Sequence, residues 1–493
     1  MKSTISKFSF SLILLAGFGC KTFLSEEPVK QTSIKTVEQL QALVDNAGVA
    51  AHYQETNYTA GYSTDDTEIT REEYAPNSAR FNVTYLNFYV WKVDEIVAAA
   101  SDALWTAEWR KILVANTILD NLDNVTGSAE EKALVKADAH FRRAYSHWVL
   151  ANYYCQPYSE ANLNSMGLPI KRSSSAEESL ERGTLKEVYD FILEDLNEAM
   201  KVTRTDVNML YPWRVTKKTV DAMLSRYYLF TGDYQKALDH ANSALGSTTV
   251  KLMDYKTIVA GAPINYTNPA ATVEVPEQYS WAASQFLFWP EFYYPVFTYI
   301  ATQWYVPSAN LRSLYEGQND LRYKWWFVEN GGRRFSVVTP EMFRYTIFND
   351  GRFLPSGLTR AEMLLNKAEA LARLNKPAEA MQAVNELRAQ RFTTPTNLTA
   401  ANKDEAITKV LQERRREMPF AFRWLDIRRF SVNDYPGDDV TITREFYKIE
   451  NNVVDLNTPM TYTLPVGSKR YAVPINGVDI GASNGAIQQN QYD

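Results

Sequence analysis

Twelve aromatic residues fall within the 27 positions from Tyr279 to Tyr305, YSWAASQFLFWPEFYYPVFTYIATQWY. Flat rings of this kind stack on sugar rings or on apolar side chains. Trp281, Trp289, Tyr293 and Trp304 are the ligand-facing candidates of the run, and most of its other rings are expected to fill core. Asp65, Asp66 and Trp91 are their counterparts in the N-terminal half, where carboxylates and an indole could take up hydroxyls and a ring face. Bond-making chemistry has no comparable signal. The chain has no Gly-rich phosphate loop, no GxSxG and no paired Cys-His signature. Carboxylates suffice in number for a two-carboxylate glycosidase, but spacing alone brings no two of them to one cleft. No catalytic residue, cofactor or metal is expected.

Composition narrows the field further. The 493 residues are 45% hydrophobic and 22% charged, which is ordinary for a globular chain able to bury a sizeable core. The net charge of −6 supplies no basic field to replace phosphate counterions, so no nucleic-acid partner is expected. The two cysteines, Cys20 and Cys155, exclude a disulfide framework and a thiolate zinc site. The four histidines show no HExxH spacing, and His140 and His147 are expected to be structural. Arg414–Arg416, flanked by Glu413 and Glu417, reads as a local ion-pair network.

The elements that would position these residues are helices. Ala361, Leu364, Leu365, Ala368 and Leu371 recur at three- and four-residue steps, and Ala380, Met381, Val384 and Leu387 repeat the pattern. Asn375 suits the left-handed end of the first helix and Pro377 the first turn of the second. Val220, Met223, Leu224 and Tyr227 form another apolar face; Gly232 ends it, Asp233 caps the next helix, and Ala237, Leu238, Ala241 and Leu245 face back. Ser128 and Glu131 form a capping box ahead of a long helix ending near Cys155. Short helices are expected over Thr36–Asn46, Thr184–Met200 and Ser308–Tyr315. Residues 50–80 lack helical periodicity and read as a long, Tyr- and Asp-rich loop. FTGDYQKALDHANSAL resembles a tetratricopeptide unit, and pairs at 103–154, 184–245 and 358–391 would stack into one scaffold. The fold expected is mainly α: tetratricopeptide-like hairpins in an α-superhelical scaffold, with a long irregular aromatic-rich insertion and few short strands.

Two blocks go further. Ala361–Glu362 with Ala368–Leu371, Asn385 with Arg388, Glu413–Arg414 with Glu417, and Arg423–Trp424 with Asp426, Arg428 and Arg429 together resemble the SusD/RagB family of surface nutrient-binding lipoproteins of Bacteroidetes. Where that family has Glu-Gly before Arg-Trp, this chain has Phe420–Ala421–Phe422, read as local repacking. Tyr471–Ile475 and Gln489–Tyr492 resemble the family's closing strand and tail.

At the other end, Lys2 and Lys7 precede an apolar run, Phe8–Phe18, that is too short to anchor in a bilayer. It closes on Gly19–Cys20 and resembles a lipoprotein signal, so Cys20 would be the lipidated residue. These resemblances imply a signal peptide (1–19) followed by one SusD/RagB-like domain (20–493). Within that domain the scaffold occupies about 36–245 and 358–429, the insertion 246–357 and a loop- and strand-like part 430–493.

The resemblance implies a lipid-anchored protein at the cell surface of the outer membrane. It would capture an oligosaccharide and hand it to a SusC-like TonB-dependent transporter. The alternatives are a peptide ligand, as in RagB-like members, or a tetratricopeptide-type scaffold that docks only a protein.

Overall fold

The computed structural model describes residues 34–46, 54–55, 58–98, 102–260, 264–265, 272–273, 289–299, 306–328, 344–345 and 353–492. The signal peptide, Cys20, Trp281 and Trp304 lie outside them.

The helices in chain order are α1 (Val37–Asp45), α2 (Tyr58–Tyr62), α3 (Arg71–Asn77), α4 (Val83–Tyr89), α5 (Val93–Val97), α6 (Ala103–Asn121), α7 (Ala129–Tyr154), α8 (Leu185–Ala199), α9 (Lys217–Thr231) and α10 (Tyr234–Leu245). They continue with α11 (Ala309–Ser313), α12 (Leu321–Trp326), α13 (Arg360–Arg373), α14 (Pro377–Arg388), α15 (Lys403–Glu417), α16 (Ala421–Phe430) and α17 (Gly477–Ala482). Strands are short, apart from the antiparallel hairpin Ile442–Glu450/Val453–Leu464. The architecture is mainly α, as the apolar periodicity implies.

Local chemistry sets the helix boundaries. Ser128 and Glu131 cap each other at the start of α7, and Thr184 and Glu187 do so at α8. Gly232, at φ 82°, ends α9, and Asp233 accepts from the Lys236 amide to begin α10. Asn375 is left-handed at φ 61°, and Pro377 opens α14. Residues 50–80 differ from the expected loop. They contain α2 and α3, and α3 starts in a full capping box between Thr70 and Glu73.

The long helices pack as neighbours, α6 on α7, α7 on α8, α9 on α10 and α13 on α14. Helix α10 also packs on α13, and α15 closes against both α13 and α14. Their apolar faces merge into one large core; a smaller cluster of Val37, Leu40 and Val44 seals α1 onto α6 and α7.

Many family-like residues are buried charges at these joints. Arg226 of α9 forms a bidentate pair with Glu362 of α13 at 2.7 Å to each oxygen. Arg429 clamps Glu369 at 2.6 and 2.7 Å, Arg414 reaches Asp426 at 2.8 Å, and Arg388 reaches Glu413 at 3.1 Å. The Arg414–Arg416 run is only partly a local network. Arg416 pairs with Glu413 three residues away, whereas Arg415 reaches Asp66 in the N-terminal half.

The described part of the aromatic run threads into this frame. Phe292–Tyr294 pairs with Leu358–Thr359, and Phe297–Tyr299 lies between Gln54–Glu55 and Phe353–Pro355. Tyr471–Ile475, expected as a strand, joins no sheet. It is fixed instead by the Val473 amide donating to Tyr153 O at 2.7 Å and by Gln489 bonding both backbone groups of Ile475.

Candidate ligand-binding cleft

Asp65 and Asp66 follow α2 in a tight turn in which the Thr64 and Thr67 hydroxyls both donate to Gly61 O. The turn is bridged to the segment beyond the aromatic run: Glu68 N donates to Val306 O at 3.0 Å and Ser308 N to Asp66 O at 2.7 Å. Ser308 then caps α11. The chain leaving the aromatic run is thereby docked on the acidic turn.

Three arginines from the C-terminal third hold this turn. Arg423 of α16 grips both Asp65 oxygens at 2.8 and 2.9 Å. Arg415 of α15 donates from Nε to Asp66 at 2.6 Å and from Nη1 to Asn310 at 2.6 Å. Burial alone would raise the Asp65 carboxyl, but Arg423 and Arg415 hold it below the ordinary carboxylate range. Asp66 is fully buried, and desolvation pushes it up despite Arg415, with the neighbouring Asp65 charge adding to the rise. Two donors, Arg415 Nε and the Phe420 amide at 2.7 Å, still point at its two oxygens, a geometry that suits the carboxylate.

Arg444, on the first strand of the long hairpin, has no carboxylate partner among the described residues. It donates to the carbonyls of Tyr62, Thr64 and Tyr89, and its guanidinium lies 3.7 Å from the Tyr89 ring centroid. Burial lowers it to about 10. Trp91 packs on its other side, 4.7 Å away, with Nε1 donating to Ser63 O at 3.0 Å.

Two aromatic residues beside this turn take left-handed backbone angles, Trp91 at φ 54° and Phe420 at φ 60°. Such conformations are uncommon for bulky residues and persist where the surroundings over-determine them. Here the Trp91 indole bond and the Phe420 amide bond to Asp66 supply that constraint.

Above this rigid floor opens a cleft of about 410 Å³. Asp65, Glu68, Arg71 and Asn310 line one side, and Thr443 and Glu445 of the hairpin line the other. Volumes of this order accept small ligands. Glu68 and Glu445 are exposed; each keeps one oxygen occupied, by Ala309 N at 3.0 Å and by Thr461 Oγ1 at 2.6 Å. The wall offers carboxylates, an amide and hydroxyls to a polyhydroxylated ligand.

The expected site residues separate into distinct places. Asp65 lines the cleft, while Asp66 and Trp91 brace it from below, both buried, so neither presents a face to a ligand. Tyr293 is 0% exposed and donates to Ala244 O at 2.9 Å; it belongs to the scaffold core. Trp289 is buried beside Phe292 and lines a small internal cavity of about 50 Å³ with Tyr255 and Trp326. Neither ring is available at the surface, because the strand Phe292–Tyr294 runs under α7 and α9. Glu68, Asn310, Thr443 and Glu445 were not singled out by sequence, since single polar residues in short segments carry no periodic or motif signal.

Comparison with known proteins now bears on the whole chain. Residues 22–229 match a SusD-like family described as starch-binding and associating with the outer membrane, and residues 360–492 match the SusD family. The chain belongs to the SusD family. Among its curated relatives is SusD-like protein P2 of Formosa agariphila, 24% identical over 87% of this chain and 91% of the relative. A SusD superfamily protein of Bacteroides thetaiotaomicron superposes with a TM-score of 0.65 at 19% identity, covering 92% of this chain and 100% of that one. The surface glycan-binding protein A of Bacteroides uniformis gives 0.62 at 15% identity, over 93% and 100%. These structural likenesses establish the SusD fold.

No helix among the described residues is long and apolar enough to cross a membrane. No group of three or more His, Cys, Asp or Glu among them is placed to hold a metal ion.

Proposed function

We propose that this SusD family member is a cell-surface glycan-binding protein, lipid-anchored at Cys20 in the outer membrane. It captures an oligosaccharide and passes it to a SusC-like TonB-dependent transporter. The observation that carries the reading is the open, hydroxyl- and carboxylate-lined cleft, built on a floor of buried ion pairs. Binding follows from preorganisation: the floor is already fixed, so little ordering entropy is spent when a sugar arrives. One structural neighbour, from Bacteroides uniformis, is a surface glycan-binding protein, which supports the same ligand class.

The test is a calorimetric titration of the chain beginning after Cys20 against a panel of oligosaccharides and peptide digests. Saturable binding to one glycan, weakened about tenfold in the Glu68→Ala/Glu445→Ala double variant, is expected; tenfold corresponds to about 1.4 kcal/mol. Saturable binding to peptides alone would replace the glycan reading with the peptide one. Lipidation is checked by mass spectrometry of membrane fractions, where Cys20→Ala should abolish the acylated N-terminal species.

A further inference from the structure

A second opening shares no lining residue with the cleft. It consists of two clefts of about 450 and 760 Å³ that meet at Ser159, Glu160 and Val432. The segment after α7 forms one bank. The α9–α10 turn and the segment after α16 form the other, and the chain near Lys469 and Gln491 closes the far end. The fold holds these banks firmly. Asn162 Nδ2 donates to Pro157 O at 2.9 Å, Gln156 Nε2 to Lys469 O at 2.9 Å, and Asn490 Nδ2 to Tyr154 O at 2.9 Å. Arg429, at the base, is committed to Glu369 and Asp426.

The lining is chemically selective. Tyr158 and Tyr234 are half-buried and flank the smaller cleft. Tyr158 is backed by Tyr189 at 4.5 Å between centroids, and Tyr234 by the Arg373 guanidinium at 5.3 Å, so both rings are braced from behind. Glu160 and Asp434 are exposed and form no ion pair among the described residues, and Asn164 and Gln491 are exposed amides of the larger cleft. Braced aromatic faces next to free carboxylates and amides suit a ligand with apolar C–H faces and many hydroxyl donors. In the smaller cleft Arg429 is committed to Glu369 and Asp426, so Glu160 and Asp434 leave it net negative and disfavour an anionic ligand there, while exposed Lys469 lines the larger cleft.

We propose that this groove is a second binding site, for a neutral oligosaccharide, with Tyr158 and Tyr234 as stacking faces and Glu160 and Asp434 as hydroxyl acceptors. The ligand class rests on the glycan-binding reading; the site itself rests on the groove. Two sites on one chain raise the local concentration of a polymer once either is engaged.

The experiment uses the chain beginning after Cys20 with cellohexaose, mannohexaose, xylohexaose and maltohexaose, and hexagalacturonate as the acidic control. Hydroxyl-radical footprinting reads protection of Tyr158 and Tyr234 separately from protection of residues 65–72 and 443–445, and calorimetry gives the stoichiometry. One neutral hexasaccharide is expected to protect both tyrosines, with Glu160→Gln/Asp434→Asn weakening that site about tenfold and leaving the first cleft unchanged. These two substitutions are at exposed, unpaired positions and keep the fold intact, which circular dichroism verifies. Protection confined to the first cleft would overturn the groove while sparing the glycan-binding reading. Protection confined to the groove would support it and overturn the placement of the first site. Protection by no sugar would overturn both, and preference for hexagalacturonate would overturn the neutral class.

Discussion

Arg415 and Asp66 stand 349 positions apart in the chain and 2.6 Å apart in space, Nε to Oδ1, with Asp66 wholly enclosed. This contact fastens the acidic turn to the helix carrying the family's Glu-Arg motif. Arg415 also pairs with Asp65 at 3.2 Å, so losing Asp66 leaves its charge only partly compensated and costs less than the about 3–5 kcal/mol of breaking an isolated buried pair. Asp66→Ala is still expected to lower the urea midpoint, because it also strips the Phe420 amide of its acceptor. A variant with an unchanged midpoint would mean that the pair contributes nothing net.

Tyr293 separates burial from ligand contact. Tyr293→Phe should cost about 1 kcal/mol through loss of the hydrogen bond to Ala244 O. Its glycan affinity should match that of the parent chain. A large affinity loss without a stability loss would place Tyr293 in a ligand site after all.

His147 makes the acid limb of stability testable. Its ring lies edge-on to Trp109 and Phe191, with Nδ1 on Arg143 O and Nε2 without a hydrogen-bond partner among the described residues. Burial lowers it from its ordinary 6.5 to about 4. The unfolded chain thus binds this proton more readily than the folded one. The contribution is full above pH 6.5 and is lost as pH falls toward 4, by roughly 3 kcal/mol at 1.36 kcal/mol per pH unit. Denaturant melts of His147→Gln should show a flatter profile across that window than the parent. Parallel profiles would assign the acid loss to other groups. Glu369 and Glu413, held below the ordinary carboxylate range by their arginines against burial, add their loss only at lower pH, as they protonate.

The turn of the long hairpin offers a backbone test. Asn451 and Asn452 are both left-handed, at φ 49° and 56°, and Asn452 Oδ1 accepts from Asn87 of α4 at 2.8 Å. Asn451→Gly should be near neutral, and Asn451→Val should cost about 1–2 kcal/mol, since β-branched residues resist that conformation. Equal thermal midpoints for the two variants would show that the turn tolerates any residue.

Sequence made the long helices legible because their signals are local. Gly232–Asp233, Asn375–Pro377 and Ser128–Glu131 each act within one turn of chain. Helices α2 and α3, with five and seven residues, are too short for a period to register, although the Thr70–Glu73 box was there to be read. The direction in which Trp91, Trp289 and Tyr293 face is set by partners far away in sequence, and ring content says nothing of it. Arg415 looked local because Glu413 and Glu417 flank it, yet its partner comes from the acidic turn. Glu445 gained its place only through a hairpin whose strands alternate weakly in polarity.

The ion pairs of the acidic turn also fix an order of events. Residues 65 and 66 leave the ribosome early, and their partners at 415 and 423 follow 349 and 358 positions later. Closing so long a loop is slow compared with forming the hairpins α6–α7 or α9–α10, whose contacts are near in sequence. During synthesis the helical pairs therefore form while the cleft is still open. The cleft gains its second wall only once residues 443–445 have arrived, so a chain truncated before the hairpin lacks one side of the site.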